Sequence, residues 1–312
     1  MVRNEVRHLQ RWATYYSGNF GAHNLYVLDH ASDPALLDSY PDILPRGVNV
    51  IRLPFETFAG DLAAMSFDQA RFALINKFKN TLRTFYDVVI YNDADEIFLP
   101  DPAVWASLSA YINAMTLDGT ARAGMGLELF EDSDEDSPLM IDSPLFRERR
   151  NYVYMFKYCK PHITTVEGAI TTHGVKQDIT FDPDLYLLHL KFLETGYAAE
   201  RQDFIRQQYE KGYGGRESRW RFRPSELLDE VRRLIGLTRT GGEFPHHTLL
   251  RNHSGRPGPY RIDGDPKTRR AGGGYTQEVL VSSALPWETM ARLQRRRHKL
   301  PERFGDVPLF QS

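Results

Sequence analysis

The stretch VVIYNDADEIFLP, residues 88–100, constrains the fold more than any other, because a short apolar run ends in closely spaced carboxylates. The β-branched and aromatic residues before Asn92 are typical of a buried strand. Asp93, Asp95 and Glu96 follow within four positions. In open α/β sheets, ligands bind outside the carboxyl ends of the strands. The stretch therefore predicts an α/β fold with a site where this strand ends.

Segments of helical and strand character alternate along the first 195 residues. The segments NLYVLDH and VNVIRLP (residues 24–30 and 48–54) are each typical of a short strand, and apolar residues at helical spacing precede the first of them. Ser66 and Gln69 form the S-x-x-Q pattern of a capping box, which predicts a long helix after them. This alternation predicts βαβ units, and hence a mostly parallel, Rossmann-like sheet flanked by helices.

The pattern changes after residue 195. The next segment, YAAERQDFIRQQYEK, has helical character, and the chain then becomes rich in Gly, Pro and Arg. From residue 200 onward, 22 Lys and Arg residues stand against 14 Asp and Glu residues. We therefore predict a catalytic domain over residues 1–195 and a helical and irregular, basic C-terminal region over residues 196–312.

Composition excludes some classes of protein. Cys159 is the only cysteine, so one chain can hold neither an internal disulfide nor a zinc site built from several cysteines. No apolar run approaches the roughly 18 residues of a membrane-spanning helix, and charges interrupt the N-terminal MVRNEVRHLQRW where a signal peptide would be apolar. We expect a cytoplasmic protein.

The basic C-terminal region raises the question of an anionic partner. No helix-turn-helix, zinc-finger or RNA-binding signature accompanies the charge, so we expect no nucleic-acid partner and regard the charges as solvated surface. The compact run RLQRRRHK, residues 292–299, leaves peripheral contact with acidic lipids open as an alternative.

The D-x-D pattern of Asp93 and Asp95 suits a hard divalent cation. Mg²⁺ and Mn²⁺ prefer oxygen ligands and commonly bridge protein carboxylates to the phosphates of a substrate. Such a cation would neutralise charge on a nucleoside diphosphate that leaves a sugar. D-x-D alone occurs often by chance, however, and a polar turn with solvated acids is the alternative.

Three motifs in order make the pattern more specific. MVRNEVRHLQRW is followed by LYVLDHASDP, a second apolar strand that ends in acids, and then by YNDADEIF. This order resembles that of family 2-like glycosyltransferases with the GT-A fold, over residues 1–195. The resemblance implies a nucleotide site at Arg3, Asn4, Glu5 and Asp29. It also implies that Asp93 faces the ribose or the metal, that Asp95 binds Mn²⁺ or Mg²⁺, and that Glu96 braces the loop.

The chain departs from that family in two places. Only two residues precede Arg3, where the family has a full first strand, so the chain begins late or completes the sheet with another segment. The DHASD segment is one residue shorter than the commoner DDGSTD, which leaves the roles of Ser32 and Asp33 open.

A late histidine often completes such a metal site. We prefer His189 in LYLLHLKF to His173 in TTHGV, although a lone histidine is more often structural. Lys191 lies two residues beyond His189, on the same face of an extended strand, and could meet a diphosphate. Lys157 and Lys160 are alternatives for that contact.

An inverting transferase also needs a carboxylate that deprotonates the acceptor hydroxyl. Glu128 and Asp132, in the segment GLELFED, are our candidates for this base, with Glu131 between them. The alternative is that EDSDED, residues 131–136, forms a solvated acidic loop.

The sequence thus predicts a metal-dependent glycosyltransferase. It would transfer a sugar from a nucleotide-sugar, with UDP as the expected nucleotide, to a hydroxyl of a glycan or glycolipid. Two other classes stay open: a metal-dependent phosphohydrolase or nucleotidyltransferase, and a non-catalytic nucleotide-sugar-binding module.

Overall fold

The computed structural model of the protein describes residues 1–53, 61–62, 65–139, 144–171, 174–175, 178–210, 221–241, 244–255, 258–262, 275–276 and 285–307. The helices in these residues are α1 (Arg7–Phe20), α2 (Pro34–Ile43), α3 (Phe67–Leu82), α4 (Leu108–Ala114), α5 (Leu145–Glu148), α6 (Thr195–Glu210), α7 (Pro224–Ile235), α8 (Pro245–Ser254) and α9 (Trp287–Gln294). His173, the alternative to His189 as a ligand, lies outside the described residues.

The strands fall into three sheets. They are β1 (Tyr26–His30), β2 (Asn49–Leu53), β3 (Val89–Ile90), β4 (Glu96–Pro100), β5 (Ala121–Phe130), β6 (Asn151–Tyr154), β7 (Ile163–Thr164), β8 (Ile170–Thr171), β9 (Gly174–Val175), β10 (Ile179–Phe192), β11 (Thr238–Arg239), β12 (Tyr260–Ile262), β13 (Tyr275–Thr276) and β14 (Arg296–Lys299). Strands β1 and β2 pair with each other, and β13, β9 and β8 form a second small sheet.

The main sheet has nine described strands. Its central path runs β11-β14-β6-β5-β10-β12, while β4 pairs with β10, and β7 joins β3 to β5. Only the β10–β5 and β11–β14 pairings are parallel, and the other pairings in this sheet are antiparallel. The prediction of a mostly parallel, Rossmann-like GT-A sheet is therefore wrong.

The alternation of helices and strands on which that prediction rested stops at β5, because among the described residues between β5 and β10 the only α-helix is the four-residue α5. Antiparallel strands need no helix between them. Burial did not distinguish the two arrangements either. Every residue of β5 is buried, and β10 is buried at all but two of its positions. A continuous apolar run is typical of a strand covered on both faces, which parallel sheets require, but an antiparallel strand at the centre of a large sheet meets the same condition. The β1–α2–β2 unit is parallel as predicted, yet it forms a separate two-stranded sheet.

Local signals in the N-terminal half are confirmed. Helix α1 ends at Phe20, and Gly21 follows with a φ of 80°, a conformation that suits glycine. Ser66 and Gln69 form the capping box that begins α3. These elements are set by residues close in sequence, so the sequence alone predicts them.

The predicted C-terminal region contributes to the main sheet. Strand β12 pairs with the start of β10, and β14 pairs with β6. The basic run at residues 292–299 lies in α9 and β14, where Arg297 forms an ion pair with Asp132 and Lys299 with Glu135. None of the helices in the described ranges combines the length and the apolar character needed to cross a bilayer.

Candidate active site

A cleft of about 580 Å³ lies where three strands of the main sheet meet the N-terminus and α6. Strand β4 runs antiparallel to β10, which brings the beginning of β4 beside the end of β10. Strand β5 runs parallel to β10 and therefore ends on the same side. The cleft is lined by eight residues that the sequence singled out: Arg3, Glu5, Asp93, Asp95, Glu128, Lys157, His189 and Lys191.

His189 lies at the centre of the acidic groups. In the sheet register it pairs with Glu96 of β4 on one side and with Glu128 of β5 on the other. Its Nδ1 lies 2.6 Å from Oε1 of Glu128, and its Nε2 lies 3.2 Å from Oδ2 of Asp95. Tyr158 stacks on the imidazole, with ring centroids 4.1 Å apart. The register thus places Glu128 at Nδ1, while Asp95, the residue before the register partner Glu96, contacts Nε2.

These neighbours shift the pKa values of the group. Burial by itself lowers the pKa of His189, but the carboxylates of Glu128 and Asp95 outweigh it and raise that pKa to about 9. Burial opposes ionisation of Asp95 as well, yet His189 holds the pKa of Asp95 well below its usual range. The backbone also holds Asp95 in place, because its carbonyl accepts a 2.7 Å hydrogen bond from the N–H of Leu190.

Asp93 is held by cations instead of by a histidine. Nζ of Lys160 lies 3.4 Å from Oδ2 of Asp93, a guanidinium nitrogen of Arg71 lies 3.5 Å from Oδ1, and Tyr91 donates its hydroxyl to Oδ1 at 3.0 Å. Burial opposes ionisation, but Lys160 and Arg71 keep the pKa of Asp93 well below its usual range. Lys160 also forms a buried ion pair with Glu96, which therefore lies under the loop.

Positive side chains also line the cleft. Lys157 and Lys191 each place the ammonium over an aromatic ring, Tyr158 at 4.7 Å and Phe192 at 5.5 Å. Arg201 of α6 donates to the backbone carbonyls of Arg3 and Asn4 and lies 3.0 Å from Glu5. Carboxylates and ammonium or guanidinium groups therefore lie side by side in the lining of the cleft.

Asn4 and Asp29 lie beside the cleft but are not among the residues that line it. Asp29 is fully buried and accepts hydrogen bonds from the hydroxyls of Ser32 and Tyr40 at 2.6 and 2.5 Å. Asn4 has a φ of 48° and exchanges side-chain and backbone hydrogen bonds with Asp33. These two residues fix the turns after residue 2 and after β1.

Asp132 is not brought to the cleft. It is buried two residues beyond the end of β5, where it pairs with Arg297 of β14. Glu131 caps the start of α6 through the backbone N–H of Thr195, 2.8 Å away, and also pairs with Arg149. Of the carboxylates proposed as a base, only Glu128 lines the cleft.

Sequence reasoning missed two cations of the cleft, Arg71 on α3 and Arg201 on α6. Neither lies in a motif, and Arg201 lies in the segment that we assigned to the C-terminal region. Only the tertiary structure shows that these helices pack against the ends of the sheet.

A second Asp–His group lies at the opposite end of β4. Ligand atoms of Asp101, Asp184 and His247 all lie within 4.8 Å of one another, so these residues could hold a metal ion. However, Arg303 donates to both carboxylate oxygens of Asp101, each at 2.7 Å. A cation at this group would have to displace a guanidinium that already forms a bidentate pair.

No protein-family model, curated protein or solved structure matches the chain.

Proposed function

We propose that the protein is a metal-dependent glycosyltransferase that transfers a sugar from a nucleotide-sugar, with UDP as the expected nucleotide, to an acceptor hydroxyl of a glycan or glycolipid. One observation carries the proposal: Asp95, Glu128 and the His189–Lys191 pair come from three separate segments of the chain and line a single cleft together with Arg3. The proposal rests on this cleft and not on a parallel sheet.

The side-chain atoms available as metal ligands support a divalent cation at Asp95 and His189. Two ligands of one ion, at bond lengths near 2.1 Å and at right angles, lie about 3.0 Å apart. Oδ2 of Asp95 and Nε2 of His189 are 3.2 Å apart. Glu128 accepts from Nδ1 of His189, as in carboxylate–histidine pairs around metals, and a cation bound at Nε2 would replace the proton that the raised pKa of His189 keeps there. Mn²⁺, which accepts imidazole readily, suits this set better than Mg²⁺.

Asp93 has a different role in the proposal. Arg71 and Lys160 already balance its charge, so its need for a cation is smaller than that of Asp95. We assign to Asp93 the positioning of Arg71 and Lys160 at the edge of the diphosphate site, and contact with the cation at most through one oxygen.

The remaining residues act on the donor and the acceptor. When bound, the divalent cation would neutralise the charge that develops on the departing diphosphate. Lys191, Lys157 and Arg3 line the same cleft and would bind the phosphate oxygens. Glu128 orients His189, and it is the cleft carboxylate from which an inverting enzyme would draw its general base.

Turnover of nucleotide-sugars tests this assignment. We expect the purified chain to release UDP from one member of a panel of UDP-sugars with Mn²⁺, and to lose this activity in EDTA. Asp95→Asn and His189→Gln should each lower kcat by about 100-fold or more, because each removes charge stabilisation of the leaving group. Asp101→Asn, at the opposite end of β4, is the matched control and should retain the wild-type kcat.

Two results would contradict the proposal. Equal turnover by Asp95→Asn and the wild type would exclude the metal at this cleft. Hydrolysis of the donor to UMP and sugar 1-phosphate, with no release of UDP, would instead favour the phosphohydrolase alternative.

A further inference from the structure

A smaller pocket of about 160 Å³ adjoins the cleft. Six residues line both spaces, so the pocket continues the cleft: Met1, Val2, Arg3, Arg71, Arg201 and Ile205. Asp95 and His189 line only the cleft, whereas Phe67, Phe204 and Gln208 line only the pocket. A molecule held at Asp95 would therefore extend past the shared arginines into the pocket.

One face of α6 forms a wall of this pocket. Arg201, Phe204, Ile205 and Gln208 lie at the i, i+3, i+4 and i+7 spacing that places side chains on one side of a helix. Arg201 holds this face against the N-terminal segment, because its guanidinium donates to the backbone carbonyl of Arg3 at 3.1 Å. The packing of α6 thus directs Phe204 and Gln208 to the pocket.

Apolar side chains from three segments surround the space. Phe67, the first residue of α3, and Phe204 are both half-buried and lie in the lining. The guanidinium of Arg201 packs on the ring of Phe204, 5.0 Å from its centroid. Val2 and Ile205 add aliphatic surface. A flat aromatic ring suits such walls, because nucleobases stack on aromatic side chains whatever their sequence.

Gln208 provides an acceptor that the fold leaves unused. The residue is 8% exposed, and its Oε1 has no hydrogen-bond partner among the described residues. A buried polar atom without a partner costs stability, and such atoms are rare in native proteins. The neighbouring Gln207, by contrast, is exposed and donates to Asp203 at 2.7 Å. The lining therefore offers a bound molecule one buried carbonyl acceptor.

The charged side chains of the lining are all donors. Arg3, Arg71 and Arg201 carry guanidinium groups, which have N–H donors and no acceptor. Nε of Arg71 is buried and has no partner in the described part of the chain, although a terminal nitrogen lies 3.5 Å from Asp93. The pocket thus matches a ring that carries mostly acceptors and a single N–H donor.

Among the common nucleobases, uracil has this pattern. Its free edge presents two carbonyl acceptors with one N–H donor between them. Cytosine, adenine and guanine each carry an exocyclic amino group instead, whose N–H donors would face the guanidinium groups. The donors of the lining and the lone acceptor on Gln208 therefore favour uracil over the other bases.

We propose that this pocket is the uracil site of the nucleotide donor, in which Oε1 of Gln208 accepts the ring N–H and the arginines face the ring carbonyls. This inference rests on the proposed function, which places the diphosphate in the adjoining cleft at Asp95. It assigns base recognition to α6, in the segment that the sequence placed in the C-terminal region.

This assignment differs from the one that the motif resemblance implied. Asn4 and Asp29 were expected at the nucleotide, but neither lines the pocket. The carboxylate of Asp29 is already engaged, because it accepts from the hydroxyls of Ser32 and Tyr40. The base is therefore read by a carboxamide of α6 and not by that aspartate.

Calorimetric titration of the full chain with UDP, CDP and inorganic pyrophosphate, each with Mn²⁺, tests the base site. We expect the wild type to bind UDP at least about tenfold more tightly than CDP or pyrophosphate. Gln208→Met keeps the length of the side chain but removes its carbonyl. It should lower the affinity for UDP by at least about tenfold and the affinity for CDP by less than about threefold, with pyrophosphate binding unchanged.

Two further variants separate recognition of the base from a general loss of structure. Gln207→Met, one position earlier on the exposed side of α6, is the matched control and should bind all three compounds as the wild type does. Phe204→Ala removes stacking surface that does not depend on the base. It should weaken UDP and CDP binding equally, by about tenfold, and leave pyrophosphate binding unchanged.

The possible failures are distinguishable. Equal affinities of the wild type for UDP and CDP would overturn the uracil site, as would undiminished UDP binding by Gln208→Met. Equal losses of UDP and pyrophosphate binding in Gln208→Met would also overturn it, because pyrophosphate has no base. A wild-type chain that bound neither UDP nor pyrophosphate with Mn²⁺ would instead contradict the proposed function, and the uracil site with it.

Discussion

The two ends of β4 carry the same pair of residue types in opposite electrostatic settings. At one end, Asp95 lies beside His189 and lines the cleft of about 580 Å³. At the far end, Asp101 lies near His247, but Arg303 holds both of its oxygens. The comparison shows that an Asp–His pair can take a divalent cation where the cationic partner of the aspartate is a histidine, which can give up its proton, and not where it is an arginine, which cannot.

The pKa values of the histidines also differ between the two ends of β4. Carboxylates raise the pKa of His189 to about 9 against the effect of burial. At the far end, burial and the adjacent His247 lower the pKa of His246 to about 3. His246 is neutral and satisfied: Nδ1 contacts the hydroxyl of Tyr154 at 2.8 Å, and Nε2 contacts the carbonyl of Pro183 at 3.1 Å. One end favours charged groups, and the other excludes charge from its histidines.

The largest effect on stability is expected beneath the cleft, at Lys160. Lys160→Met leaves the buried carboxylate of Glu96 without a cation, and we expect it to lower the free energy of unfolding by about 3 kcal/mol. Urea unfolding followed by circular dichroism measures this. Lys157→Met, which removes a half-buried cleft lysine, is the control and should change stability by less than about 0.5 kcal/mol. Equal costs would mean that the Lys160–Glu96 pair has no structural role.

The next effect compares the two aspartates directly. Asp101→Asn should lower the free energy of unfolding by about 2 kcal/mol, because it weakens the bidentate pair with Arg303. Asp95→Asn, whose side chain is 29% exposed, should cost less than about 1 kcal/mol. A larger loss of unfolding free energy in Asp95→Asn than in Asp101→Asn, measured by urea unfolding, would contradict the distinction between a structural end and a ligand-binding end of β4.

A smaller effect is expected in the pH dependence of stability. His246 has a folded-state pKa of about 3, below its unfolded value near 6.5, so the unfolded state binds more protons between these values. The stability that neutral His246 contributes is present above about pH 6.5 and decreases as the pH falls, by up to about 1.4 kcal/mol per unit. His246→Gln should remove this component. The free energies of unfolding of the wild type and of His246→Gln at pH 7 and pH 5 measure this component. Equal losses in the two proteins between these pH values would contradict the lowered pKa of His246.

Parts of the cleft were predictable because they depend on local alternation. His189 and Lys191 lie two residues apart on an extended strand and therefore share a face, and both line the cleft. Asp93 and Asp95 follow β3, as the apolar residues before them indicated, and lie in the short connection to β4. These relations depend only on residues close in sequence and on the two-residue repeat of an extended strand.

Other parts were not predictable, because they depend on which elements become neighbours. The same alternation would place Asp132 on the face of Glu128, but β5 ends at Phe130 and the chain turns away to Arg297. The direction of pairing in the main sheet is also non-local, since strands buried on both faces have the same composition in parallel and antiparallel sheets. Arg71 and Arg201 reach the cleft only through helix packing.

Calorimetric titration of UDP into the chain, with and without Mn²⁺, tests the central claim most directly. We predict that Mn²⁺ strengthens UDP binding by the wild type and by Asp101→Asn to the same extent. In Asp95→Asn the gain from Mn²⁺ should be at least about tenfold smaller, a loss of about 1.4 kcal/mol or more. Undiminished Mn²⁺-dependent UDP binding by Asp95→Asn, or its loss in Asp101→Asn, would contradict the assignment of the nucleotide and metal site to the cleft end of β4.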